Sequence, residues 1–127
     1  MGFHKWDDFP RRANIRKGTW RRVVATENLT VQRGEMEPDT EFDGSVHRHP
    51  EDQIIVVMKG KMRLHIDDAK GWLEPGDVGV IPGGEFHGGV DVGPEGAEYL
   101  EIIAGGRIDY LPGYVGPPKN EFKGPEE

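Results

Sequence analysis

The sequence predicts an all-β domain, a sandwich or a barrel. Three observations lead there. Seven or eight short runs of strand character recur, with turn signals roughly every ten residues. Nineteen glycines and ten prolines are spread along the chain rather than massed in one tract, as tight turns between short strands require. No stretch of about ten residues or longer carries an apolar period of 3.6.

Residues 1–19 form an N-terminal arm without a clear period. Its Trp6 and Phe9 are apolar anchors for the barrel or for a second subunit. From Trp20 to Gln32 the chain favours strand: Val23 and Val24 are β-branched, and Leu29 and Val31 alternate with Thr30 and Gln32. Residues 34–46 are polar, contain Pro38 and Gly44, and read as a loop. Gln53 to Met58 has the composition of a buried strand, turned by Lys59-Gly60. Lys61 to Asp67 alternates strictly. Met62, Leu64 and Ile66 face one way, and Lys61, Arg63, His65 and Asp67 face the other, which puts His65 on the solvent side or against a sheet, with a surface role expected.

Asp68-Ala69-Lys70-Gly71 reads as a turn, and Trp72-Leu73 as a short strand ended by Pro75-Gly76. Val78, Val80 and Ile81 make the next strand, closed by Pro82-Gly83-Gly84. Val90 and Val92 precede a Gly-Pro-Glu-Gly turn at 93–96, and Tyr99 to Ala104 is the last clear strand. Residues 112–127 read as a loose or wrapping tail, which leaves 20–111 as the barrel.

Composition narrows the function classes. The 127 residues suffice for one domain, and no internal repeat suggests a second unit. The absence of cysteine excludes a disulfide framework, a thiolate metal site and a cysteine nucleophile. Twenty-three acids against sixteen bases give a net charge of −7, the wrong sign for a general nucleic-acid binder. The basic residues Arg11, Arg12, Arg16, Lys17, Arg21 and Arg22 are interrupted by apolar and small residues and read as a solvated face. No apolar run approaches the ~20 residues that span a bilayer. The first residues carry no signal-peptide core, so a cytoplasmic protein is expected.

Two segments carry chemistry. In Val46-His47-Arg48-His49, residues i and i+2 of a strand share a face, so both imidazoles can aim at one point. Pro50 bends the chain, and Gln53 heads the next strand, from which its amide oxygen could reach the same point. The second segment, Gly76 to His87, would bring a third histidine after a tight turn. His4 and His65 are not expected to be ligands.

These residues resemble the two motifs of the cupin superfamily, G-x5-H-x-H-x3,4-E-x6-G and G-x5-P-x-G-x2-H-x3-N. The second is matched at Gly76, Pro82, Gly84 and His87, with Asp91 in the place of asparagine. The first is matched at His47, His49 and Gly60, with Gln53 in the place of glutamate and the leading glycine displaced to Gly44. The resemblance covers roughly residues 29–111. It implies a single-domain jelly-roll β-barrel with one divalent transition metal on His47, His49, Gln53 and His87. Glutamine replaces glutamate in several cupin subfamilies and still binds metal there.

Three imidazoles and an amide are all neutral, so the metal would keep its full 2+ charge and hold an anionic oxygen strongly. Nitrogen and oxygen ligands without sulfur suit Zn, Fe, Ni, Co or Mn.

Glu101 is the candidate acid–base group. It interrupts the apolar run Tyr99-Leu100-Glu101-Ile102-Ile103. Facing a polar cavity it would have a raised pKa, whereas strand alternation also allows it to point outward. Tyr99 shares its parity and would line the same wall. Arg107 could bind a substrate carboxylate in bidentate fashion or make a surface salt bridge. Phe86 is expected to pack.

The end of the chain looks like that of small one-domain cupins, including pectin-degradation cupins that open the ring of unsaturated galacturonate and cupin-type polyketide cyclases. Family members place an acid, usually aspartate, where Glu101 stands and a basic residue where Arg107 stands. The resemblance implies a metal-dependent isomerase, lyase or cyclase acting by proton transfer on a small substrate, with a dioxygenase or a non-catalytic ligand-binding module as alternatives. A homodimer is common in the superfamily and is expected here.

Overall fold

A computed structural model describes residues 2–124. Met1 and the last three residues of the expected tail lie outside the described residues. The strands are β1 (Arg12–Ala13), β2 (Thr19–Ala25), β3 (Leu29–Met36), β4 (Val46–Arg48), β5 (Gln53–Ile66), β6 (Ala69–Leu73), β7 (Val78–Ile81), β8 (His87–Ala104) and β9 (Glu121–Lys123). Two short 3-10 turns, Trp6–Asp8 and Ile108–Tyr110, are the helical elements among the described residues. No helix is long and apolar enough to cross a membrane.

β5 and β8 form the spine, antiparallel over nearly their whole length. The far half of β8 also pairs with β3, which pairs with β2 and so with β1. The near end of β8 pairs with β4 at His87 and His47, and β9 pairs with the other edge of β4. β6 and β7 lie along β5. The arm and the tail thus each add a short strand, and the Trp6 and Phe9 rings meet edge to face within the arm.

The long strands absorb turns that the sequence suggests. Gly60 takes a positive φ inside β5, and the β5–β8 register jumps from Met62–Val92 to Gly60–Ala97. The Gly93–Gly96 segment is therefore a bulge within β8 rather than a hairpin turn. Extra residues on one strand bend it and raise its twist, which curls the sheet. The run from Trp20 to Gln32 is two strands joined at residues 26–28, and β3 extends two residues past the start of the expected loop.

His65 is a correction. It is buried, at 8% exposure, instead of on the surface. The period of two itself holds, since Met62, Leu64 and Ile66 share the core face; His65 lies on the opposite face of β5, across from Gly88, and is covered there rather than solvated.

The main core holds Met36, Ile55, Val57, Met62, Leu64, Ala97 and Tyr99. Burying each large apolar side chain contributes roughly 1.5–3 kcal/mol. Tyr99 fits because Gly34 lies under its ring: a Cβ there would come within 2.2 Å of the ring carbon bearing the hydroxyl. A smaller cluster of Val23, Ile103 and Tyr110 closes the second end, with Leu111 packed against it.

Candidate metal centre

His47 sits on β4, and its register partner is His87, the first residue of β8. His49 follows β4 with the same parity as His47. The three ring centroids are 4.5–6.0 Å apart. One nitrogen from each lies within 4.8 Å of the others. His49 and His87 are buried at 4% exposure, as is Gln53 at the head of β5.

The two motif loops are tied together. Gly83 N–H donates to Asp52 Oδ1 at 2.8 Å, and Gly84 N–H donates to the His49 carbonyl at 2.9 Å. A Cβ on Gly83 would stand 2.0 Å from the Pro50 carbonyl oxygen, so this loop must be glycine to come so close. The glycine–proline signature of the second motif thus places His87 against the loop that carries His49.

Hydrogen bonds fix the tautomers. His49 Nδ1–H donates to the Glu51 carbonyl and His87 Nδ1–H to the Glu85 carbonyl, both at 3.0 Å. Such outer partners orient ligating imidazoles and leave Nε2 with its lone pair. His87 Nε2 is buried with no hydrogen-bond partner among the described residues. His49 Nε2 lies 3.0 Å from Gln53 Oε1. A cation held between these two atoms would be bound by both lone pairs. Burial lowers the His47 pKa to about 3, with the nearby His87, His49, Arg16 and Arg107 adding to it. Burial also lowers His87 to about 4, against the Glu85 hydrogen bond. Both rings are neutral near pH 7, the form a metal requires. The donor set fits a divalent metal ion.

The cluster opens on a cavity of about 60 Å³ whose lining includes His47, Gln53, His87, Tyr99 and Glu101. Glu101 faces this cavity, and desolvation raises its pKa to about 7 although Arg21 and Arg16 act to lower it. Tyr99 shares the wall, and burial raises its pKa.

Arg107 lies elsewhere. At 3% exposure it donates to both Asp109 oxygens, at 2.9 and 2.7 Å, and to Asn120 Oδ1 at 2.6 Å. Its ion pair is buried rather than at the surface, and Glu51 Oε1 lies 3.6 Å from Nε. Burial disfavours its charge, but Asp109 more than compensates and raises the pKa. Phe86 packs under Arg48, at 4.6 Å, as expected.

The sequence reading missed Arg16, Arg21 and Gln32, all on the cavity wall. It placed both arginines on a solvated face. Arg21 shares parity with the buried Thr19 and Val23, a signal that its side chain points inward. Gln32 shares parity with Thr30 and is 2% exposed, whereas Leu29 is 45% exposed. In the first half of β3 the polar residues are the inner ones, while Met36 at its end joins the main core.

A curled β-sheet that gathers three histidines at one point, with a glutamine against one of them, defines a β-barrel with a histidine group able to hold a metal ion. Residues 29–103 match the family model of the cupin domain, and the chain belongs to that family. It is similar to an RmlC-like cupin from Shewanella frigidimarina, at 20% identity over 87% of this chain and 96% of that one, with a TM-score of 0.71. It is also similar to an oxalate decarboxylase from Bacillus subtilis, at 24% identity over 83% of this chain, with a TM-score of 0.67. The chain spans 29% of the length of that enzyme, for which Mn(II) centres are described. No curated protein matches.

Proposed function

We propose that this protein is a metal-dependent cupin enzyme that transfers protons, without net redox change, on a small oxygen-rich organic anion. Isomerase, lyase or cyclase chemistry fits this description. The reading is carried by one observation: Glu101, with a pKa raised to about 7, faces the same small cavity as His47 and His87 of the three-histidine cluster.

His47, His49, His87 and the Gln53 amide oxygen would hold a divalent transition metal, with Zn, Fe, Ni, Co and Mn all compatible with the donors. When bound, the metal would supply Lewis-acid polarisation of a substrate oxygen. The Glu101 carboxylate would take the proton acidified by that polarisation and return it to another atom. A group with a pKa near the working pH does both with little penalty. Gln32, opposite Glu101 in the β3–β8 register, stands where it can orient the carboxylate or the substrate. Arg107 would serve this site from behind, by fixing the chain that follows β8.

We expect the working form to be a homodimer, for which the outward side chains of Ile54, Val78 and Val80 offer apolar surface.

The test is metal content by mass spectrometry on protein purified without added metal, for wild type and His87→Ala, followed by NMR of small hydroxy and keto acids in D2O. Near one metal per chain, lost in the variant, with substrate proton exchange lost in Glu101→Gln that keeps its metal, would support the reading. Oxygen consumption without proton exchange would overturn it in favour of a dioxygenase.

A further inference from the structure

The arm delivers an arginine to the cavity. After β1 the chain turns tightly: Asn14 N–H donates to the Thr19 carbonyl and Thr19 N–H to the Arg16 carbonyl. The loop before β4 anchors this turn, since Glu37 N–H and Thr40 Oγ1 both donate to the Gly18 carbonyl. Arg16 therefore reaches the barrel mouth from a fixed base. Its Nη2 donates to the Ser45 carbonyl at 3.1 Å and lies 3.3 Å from where a Cβ on Gly88 would be, one residue from His87. Its Nε is buried with no hydrogen-bond partner among the described residues.

Arg21 approaches from β2. Its Nη1 donates to Gln32 Oε1 at 3.2 Å, and its guanidinium lies 4.7 Å from the centre of the Tyr110 ring. Neighbouring arginines are paired, Arg11 with Glu35 and Arg22 with Asp7. Among the described residues, neither Arg16 nor Arg21 has a carboxylate within ion-pair distance.

The charge balance of the cavity follows. Two guanidiniums stay charged at any relevant pH. Among the lining residues one carboxylate, Glu101, stands against them, while the exposed Asp43 acts on Arg16 from outside the cavity. A surplus of at least one positive charge remains before any metal is counted, inside a chain whose net charge is −7. Uncompensated charge in a partly dry cavity is costly unless a ligand neutralises it. The planar fork of arginine matches a carboxylate in particular. A water needs about 10–15 Å³ of such space, so a cavity of about 60 Å³ takes a ligand of few heavy atoms.

We infer that Arg16 and Arg21 are the substrate-recognition residues of this cavity and that its substrate is a small organic carboxylate. This rests on the function proposed above for the location of the chemistry, but recognition of the anion is a property of the two arginines. The role expected of Arg107 passes to residues of the arm and the first long strand.

The experiment is calorimetric titration of malonate, and of malonamide as its neutral counterpart, into metal-free and metal-loaded protein. Wild type, Arg16→Gln, Arg16→Lys and Arg21→Gln are compared, with metal content and circular dichroism recorded for each. Malonate should bind wild type, and malonamide at least about tenfold more weakly, as expected for losing a charge-assisted hydrogen bond. Each glutamine variant should lose about tenfold or more in malonate affinity at unchanged metal content, with Arg16→Lys between it and wild type. Equal binding of malonamide, absence of malonate binding to both forms of wild type, or unchanged malonate affinity in either glutamine variant would overturn the inference. If Arg16→Gln does not fold, Arg21→Gln and Arg16→Lys decide it. A wild type that takes up no metal but binds malonate through these arginines would remove the proposed chemistry and keep the recognition.

Discussion

Replacing Arg107 with alanine separates a structural arginine from a substrate-binding one. The guanidinium makes two hydrogen bonds to Asp109, whose side chain is 1% exposed, and a third to Asn120. Without it, Asp109 keeps the Lys119 backbone N–H as its remaining partner outside its own residue. Removing one partner of a buried pair typically costs about 3–5 kcal/mol, because the other charge is left uncompensated. For 127 residues at ~2.1 cal/mol/K of unfolding entropy each, that lowers Tm by roughly 11–19 °C. Thermal unfolding by circular dichroism at pH 7 measures it, with Asp109→Asn and the double variant completing a cycle. The coupling should lie in the upper part of the ~0.5–3 kcal/mol range for contacting residues. The sign with pH is fixed as well. Burial raises the Asp109 pKa, but the Arg107 and Lys119 hydrogen bonds prevail and hold it below the usual carboxylate value. The pair therefore contributes above about pH 4 and is lost as pH falls through the depressed folded value. A loss under about 1 kcal/mol, the scale of an exposed pair, would refute this account. Loss of carboxylate binding at unchanged Tm would do the same and return Arg107 to the substrate.

Three further outcomes can be measured. In metal-free protein the folded pKa of Glu101, about 7, exceeds its unfolded value, so stability should fall as pH rises from about 4.5 through 7; Glu101→Gln should remove that slope and be more stable at pH 8, on the order of 1–3 kcal/mol by chemical denaturation. Gly83→Ala should push the two motif loops apart, costing roughly 1–3 kcal/mol in denaturant titrations and reducing metal content, since its Cβ would stand 2.0 Å from the Pro50 oxygen. His47 and His87, lowered to about 3 and 4, leave protons poor competitors for the site, so metal should be retained on dialysis to about pH 5, where ordinary imidazoles near 6.5 are already charged.

How far the sequence discloses such a site depends on the kind of signal each residue carries. His47, His49 and His87 were legible because ligand spacing and glycine–proline punctuation are local features. Glu101 was legible because a carboxylate among Tyr99, Leu100, Ile102 and Ile103 is out of place unless it has a polar wall to face. The bent spine was not: Gly60 and the 93–96 segment carry turn residues, but whether the chain reverses there or bulges is set by pairing across β5 and β8. His65 failed for a different reason: its parity against Met62, Leu64 and Ile66 holds, but the face it points to is covered and not solvated.

Arg21 and Gln32 expose a deeper ambiguity. A period of two says that alternate residues share a face, but not which face is inside. The usual rule puts the apolar face inward, and it holds for Ile55 and Val57 in β5. In the first half of β3 it inverts, because Thr30 and Gln32 are buried inside and Leu29 and Val31 are not. The inversion runs through one row of the barrel, where Val23, Gln32, Glu101 and Ile55 are successive register partners on four strands. A polar pair in the middle of that row costs stability unless it has work to do there, since two more aliphatic side chains would bury without penalty. The row crosses the wall of the cavity that holds the histidine cluster. The strands whose inner faces violate the apolar rule are therefore the ones that shape the chemistry.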